Sequence, residues 1–176
     1  MVAAVYAGAL AAALLASGSG SAHDFSLERV GVFAPPTPLV KSSAVTYDRN
    51  LVPASSWIRV RQHTERNGTT TVDLHLAGVR PDHVFGVHIH QKACGTDPAA
   101  AGKHYQNKPG TSTHHVNDKN EVWLDFKSDG AGMGHASSKH TWAFRKGQAS
   151  SVVIHSEPGM KGARVACFTV PFGGAS

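Results

Sequence analysis

Residues 86–95 read Gly86-Val87-His88-Ile89-His90-Gln91-Lys92-Ala93-Cys94-Gly95, and the fold and chemistry of the chain turn on how that stretch is read. Its apolar, β-branched start favours an extended strand. In a strand, residues i and i+2 face the same side, roughly 7 Å apart, so the imidazoles of His88 and His90 can reach one object beside the sheet. A single metal ion is the natural candidate, because neutral imidazole suits copper and zinc. The competing reading is a half-exposed strand that carries two histidines and no ligand.

The surrounding sequence repeats the strand signal. Short alternating runs are separated by turn residues: SAVTYD (43–48), SWIRVRQHT (56–64), TTTVDLHLAGV (69–79) and HVFGVHIH (83–90), then EVWLDF (121–126), GHASSKHTWAF (134–144), SVVIH (151–155) and ARVACFTV (163–170). Asn67-Gly68 marks a hairpin between the second and third runs. Eight strands and no amphipathic helix predict an all-β domain, an eight-stranded Greek-key barrel or sandwich. Between Gln91 and Asn120 lies a strand-poor stretch rich in Gly, Pro, Asn and His. Connections of that length in compact domains are usually functional, so it reads as one long metal-site loop.

Composition narrows the function classes. The 176 residues suffice for one domain, and 41% hydrophobic with 16% charged residues reads as globular. The net charge of +5 is diffuse, with no basic run and no aromatics interleaved among the Lys and Arg, which argues against nucleic acid and favours a small anion as partner. Residues 1–22, an apolar run ending in Gly20-Ser21-Ala22, read as a signal peptide, too short and broken for a stable membrane span. Export to the cell surface, periplasm or medium follows. Residues 23–42 read as a mobile leader, 43–172 as the folded domain and 173–176 as a tail. The two cysteines, Cys94 and Cys167, suggest one disulfide in an exported chain, the alternative being two separate buried thiols.

Twelve histidines are present, and four groups of them stand in strand or loop contexts that belong together: Gly86–His90, Gly102-Lys103-His104, His114-His115-Val116-Asn117-Asp118, and Val152-Val153-Ile154-His155. With Gly162-Ala163-Arg164-Val165-Ala166-Cys167, this ordered set resembles copper/zinc superoxide dismutase across roughly residues 43–172. The resemblance implies a Greek-key barrel in which His88, His90, His104 and His155 bind copper. It implies a Cys94–Cys167 disulfide and a role for Arg164 in guiding superoxide to the metal. His104 would also return a proton to the departing product. Imidazole suits a metal that cycles between Cu(II) and Cu(I), since softer thiolates would favour Cu(I).

Two features depart from that family's pattern. A zinc site built on His104, His115 and Asp118 lacks a matching middle histidine, and His115 follows His104 by only eleven positions. Ser156–Ala163 is far shorter than the family's usual charged loop. Both losses resemble copper-only members. The leading expectation is an exported copper-dependent superoxide dismutase; its rival is a non-enzymatic copper carrier on the same fold. A zinc hydrolase is disfavoured because no carboxylate stands in sequence beside the His88/His90 pair. His63, His75, His83, His135 and His140 read as strand histidines without a shared partner, His114 as a solvated loop residue, and His23 as a chelating terminus if cleavage follows Ala22.

Overall fold

The computed structural model describes residues 24–37 and 42–173, and nine strands run through them. They are β1 (Phe25–Val32), β2 (Ala44–Thr46), β3 (Trp57–Thr64), β4 (Thr70–Ala77), β5 (Val84–His90), β6 (Phe126–Lys127), β7 (Met133–His140), β8 (Ser151–His155) and β9 (Arg164–Thr169). The expected signal peptide, His23 and the end of the tail lie outside the described residues. One sheet has the order β1-β3-β4-β7 and the other β2-β9-β8-β5-β6, with every strand pair antiparallel. β5, β6 and β7 follow one another, β7 crosses to the first sheet, and β8 returns beside β5, which is a Greek-key order. No strand ladder among the described residues joins the two sheets, so the architecture is a sandwich rather than a closed barrel.

Eight of the nine strands overlap the runs expected from the sequence, although the run 121–126 contributes only Phe126 to β6 and its residues 121–125 are not in a strand. The ninth, β1, corrects the reading of residues 23–42 as a mobile leader, because Phe25–Val32 pairs with β3 along its whole length. Its periodicity is disguised by packing. At the inward position Gly31, an added Cβ would lie 2.5 Å from the Phe168 ring, so an apolar side chain is excluded where the pattern calls for one. The outward Val30 and Val32 are exposed instead.

The two sheets are buried differently. β4 alternates strictly, with Val72, Leu74 and Leu76 inward and Thr71, Asp73 and His75 outward. β8 is buried at all five positions and β5 at six of seven. Phe85, Val87, Ile89, Val152 and Ile154 join the central core, each burial contributing about 1.5–3 kcal/mol. Their alternates, His88, His90, Val153 and His155, are covered on the other face by the segment 91–125.

That segment is held at the free edge of β5, where the Tyr105 amide donates to Ile89 O (2.7 Å) and the Leu124 amide to Val87 O (2.8 Å). The guanidinium of Arg145 lies over the buried Tyr105 ring and donates to the Gln106 and Asn107 carbonyls. Two short 3-10 turns, Pro98–Ala101 and Thr113–His115, are its only helical pieces. A disulfide, Cys94–Cys167, fastens its start to β9, and Ala101 and Val153 pack beside it.

Because the disulfide spans 73 positions, its reduction removes a constraint on the unfolded chain worth on the order of 4 kcal/mol. Denaturant titration with and without reductant should show the midpoint falling accordingly; an unchanged midpoint would mean that the covering segment is held without it.

Candidate metal centre

The site is built by strand register. Gly86 pairs with His155, His88 with Val153 and His90 with Ser151, so the His88, His90 and His155 side chains project from one face of neighbouring strands. Gly86 leaves room there: an added Cβ would lie 2.4 Å from Glu157 O, in the short segment that follows His155. The covering segment brings a fourth imidazole back, with His104 bridging to His90 and Trp123 to His88. His88 and His90 are fully enclosed, and His155 is 5% exposed.

Each ring is fixed by the bond it makes away from the centre. His90 Nδ1 lies 3.1 Å from Gly102 O and His155 Nδ1 3.0 Å from Gly162 O, geometry that assigns both protons to Nδ1. His104 Nδ1 lies 2.9 Å from Glu121 Oε2, while its Nε2 turns inward to 3.1 Å from His88 Nδ1. His88 Nε2 points outward to Asp125 Oδ1 at 3.1 Å. His90 Nε2 and His155 Nε2 stand 3.4 Å apart. Four nitrogens therefore face one another, with the outer nitrogens of His90, His104 and His155 hydrogen-bonded elsewhere and the buried Nε2 of His88 facing Asp125 without a hydrogen bond. Lone pairs at such distances repel unless a cation or a shared proton lies between them. His88, His104 and His155 place one ligand atom each within 4.8 Å of one another and could hold a metal ion, and His90 borders them.

Burial favours the neutral form of two of the rings, His90 and His155. Burial, together with the charge of His104, holds His90 down to about 2. Burial likewise lowers His155 to about 4, against the bond to Gly162 O. Burial alone would raise the Glu121 carboxyl, but bonds from His104, Gln106 and Trp123 outweigh it and keep the group below the ordinary carboxylate value. Asp125 is lowered in the same way, by His88 and the amides of Val87 and Gly159. His90 and His155, held neutral by burial, and His88 and His104, each with a carboxylate behind it, form a donor set for a divalent ion.

Arg164 opens β9 directly opposite His155 in the register. Its guanidinium donates to Pro98 O (2.9 Å) and Gly102 O (2.6 Å), and it stands close enough to weigh on the His90 and His155 protonation equilibria. The fourfold histidine set, Arg164 and the Cys94–Cys167 bridge are thus gathered in one region.

The expected zinc group is not gathered. His104 gives its outer nitrogen to Glu121, His115 Nδ1 turns to Lys108 O at 3.1 Å, and Asp118 is exposed, so these residues form no ligand cluster among the described residues. The expectation that no carboxylate stands beside the histidine pair also needs correction. Asp125 does, but its oxygens accept the Val87 amide (2.8 Å) and the Gly159 amide (2.9 Å), which leaves it a positioning group rather than a free base. Glu121 and Asp125 were read only as part of a strand. Their signal was the one already used for His88 and His90: Glu121, Trp123 and Asp125 are spaced by two and share a face.

No protein-family model and no curated sequence matches the chain. Among solved structures it is similar to a double mutant of a SOD-like protein from Bacillus subtilis in which a tyrosine and a proline are replaced by histidine. That similarity covers 62% of this chain and 87% of the other, at 18% identity and a TM-score of 0.46.

Since His155 is lowered in the folded state, the unfolded chain takes up protons first as pH falls below about 6.5, and stability is lost through the window down to about 4. At pH 5 that one ring should cost the metal-free chain on the order of 2 kcal/mol relative to pH 7. Thermal melts of metal-free protein at the two values check this; equal midpoints would overturn the buried, neutral assignment.

Proposed function

We propose that the chain is an exported copper-dependent superoxide dismutase that works without zinc, with His88, His90, His104 and His155 as the copper ligands. The observation that carries the reading is the inward convergence of four imidazole nitrogens beside an anchored arginine, three of the rings held by a hydrogen bond at the outer nitrogen and the fourth, His88, facing Asp125. The ordered resemblance across residues 43–172 points the same way. The all-nitrogen donor set fits copper, which must be held in both oxidation states. When bound, the ion supplies one-electron chemistry, oxidising one superoxide to dioxygen and reducing the next to hydrogen peroxide.

The chain's own residues supply the rest. Arg164 is permanently cationic, and its position is fixed by two carbonyls, so it can receive a small anion next to the histidines. His104 is tethered through Nδ1 to Glu121, so the ring keeps its place while Nε2, the nitrogen it offers to the metal, can instead carry a proton and pass it to the peroxide product. In that role Glu121 stands where a second cation would otherwise orient the ring. Gly162 and Gly102, whose carbonyls hold His155 and His90, are flanked by the exposed Lys161 and Lys103. With the overall charge of +5, these lysines give the approach a positive field.

Residues 23–176, loaded with copper and stripped of zinc, should dismutate superoxide near the diffusional ceiling, roughly 10⁸–10⁹ M⁻¹s⁻¹. A rate no better than loosely chelated copper, unchanged on adding zinc, would leave the carrier reading standing instead.

The anion-guiding role is tested by Arg164→Ala. The variant should keep its copper spectrum while its rate drops by roughly tenfold or more and loses part of its salt dependence. An unchanged rate and salt slope would assign Arg164 to structure alone.

A further inference from the structure

The outer face of the β1-β3-β4-β7 sheet carries a second pair of histidines, remote in the fold from the first. His75 on β4 pairs directly with His135 on β7, and their rings lie nearly parallel with centres 6.1 Å apart. Both belong to the outward set of their strands, so neither is enclosed by the core. Adding the ring radius to a metal–nitrogen distance of about 2.0 Å puts a ring centre roughly 3 Å from an ion that it ligates, so these stacked rings can share one ion once side-chain rotation turns their nitrogen edges, rather than their faces, toward each other. Opposed positions in an antiparallel pair hold this spacing through the ladder, at little ordering cost.

The groups around the pair determine what it can take. Asp73 precedes His75 by two positions on the same face and stands diagonal to His135, because it pairs with Ser137. It is free to turn: its cross-strand partner Arg61 is engaged with Glu28, and Asp73 makes no ion pair among the described residues. Met133 flanks the other side and is exposed. We infer that His75 and His135, with Asp73 as an additional oxygen donor, form a surface site for a borderline divalent transition ion such as Ni(II), Zn(II) or Cu(II), the remaining positions being filled by water. Two imidazoles and a carboxylate suit this class, whereas Ca(II) and Mg(II) need more oxygen ligands. The site lies on the opposite sheet from the enclosed histidines, so it can bind an ion whatever those histidines hold.

The probe is Ni(II), titrated into the full chain and followed by the backbone amide resonances, so that each site reports separately. Signals from Asp73 to Ala77 and from Met133 to Ser137 should broaden in step with added Ni(II), and His75→Gln and His135→Gln should each abolish that broadening. His63→Gln, which removes a histidine from the same sheet face two rows away, should leave it intact. Equal melting of the metal-free variants would establish that folding is unaffected. Broadening that persists in both His75→Gln and His135→Gln, or is confined to residues near His88 in the wild-type chain, would overturn the inference.

Discussion

Every imidazole in the enclosed cluster is positioned by the group that it faces on the side away from its neighbours. Two backbone carbonyls and two carboxylates do this work: Gly102 O and Gly162 O for His90 and His155, Glu121 and Asp125 for His104 and His88. Without those outer partners the rings would be free to flip, and a buried N–H left unbonded would cost about 1–3 kcal/mol each. The loop segments that carry the partners must therefore lie where they do. The disulfide, the Tyr105 and Leu124 amides on β5, and Arg145 on the Gln106 and Asn107 carbonyls hold them there. The burial of β5 and β8 on both faces is the outward sign of this arrangement.

The sequence made the strands legible wherever one face was apolar and the other polar. It failed for β1, where Gly31 yields its inward place to Phe168 and two valines face outward, so the pattern runs against the register. Within the site, the histidines were readable because they are rare, chemically specific and spaced by two. Glu121 and Asp125 were not, because isolated carboxylates are common in any segment and their partners lie 17 and 37 positions away in sequence. The absent zinc cluster shows the converse limit. His115 and Asp118 have suggestive spacing, but the turn Thr113–His115 directs His115 to Lys108, and no local pattern encodes that direction.

The short segment after His155 has a place in the same economy of contacts. It closes on itself through the Ser156 amide and Ala163 O (2.8 Å), supplies Gly162 O to His155, and hands the Gly159 amide to Asp125. Eight residues thus complete the support of two histidines without extending across the cluster. Access from that side is set by the compactness of this turn rather than by a longer covering loop.

Gly102 O joins two of these tasks, since it accepts both the His90 proton and a guanidinium N–H of Arg164. A single oxygen is thus the common origin from which a ring and a cation are measured. Thermal drift of the covering segment is then a common-mode motion: it carries His90's anchor and Arg164's anchor together, so their mutual spacing is conserved better than the position of either.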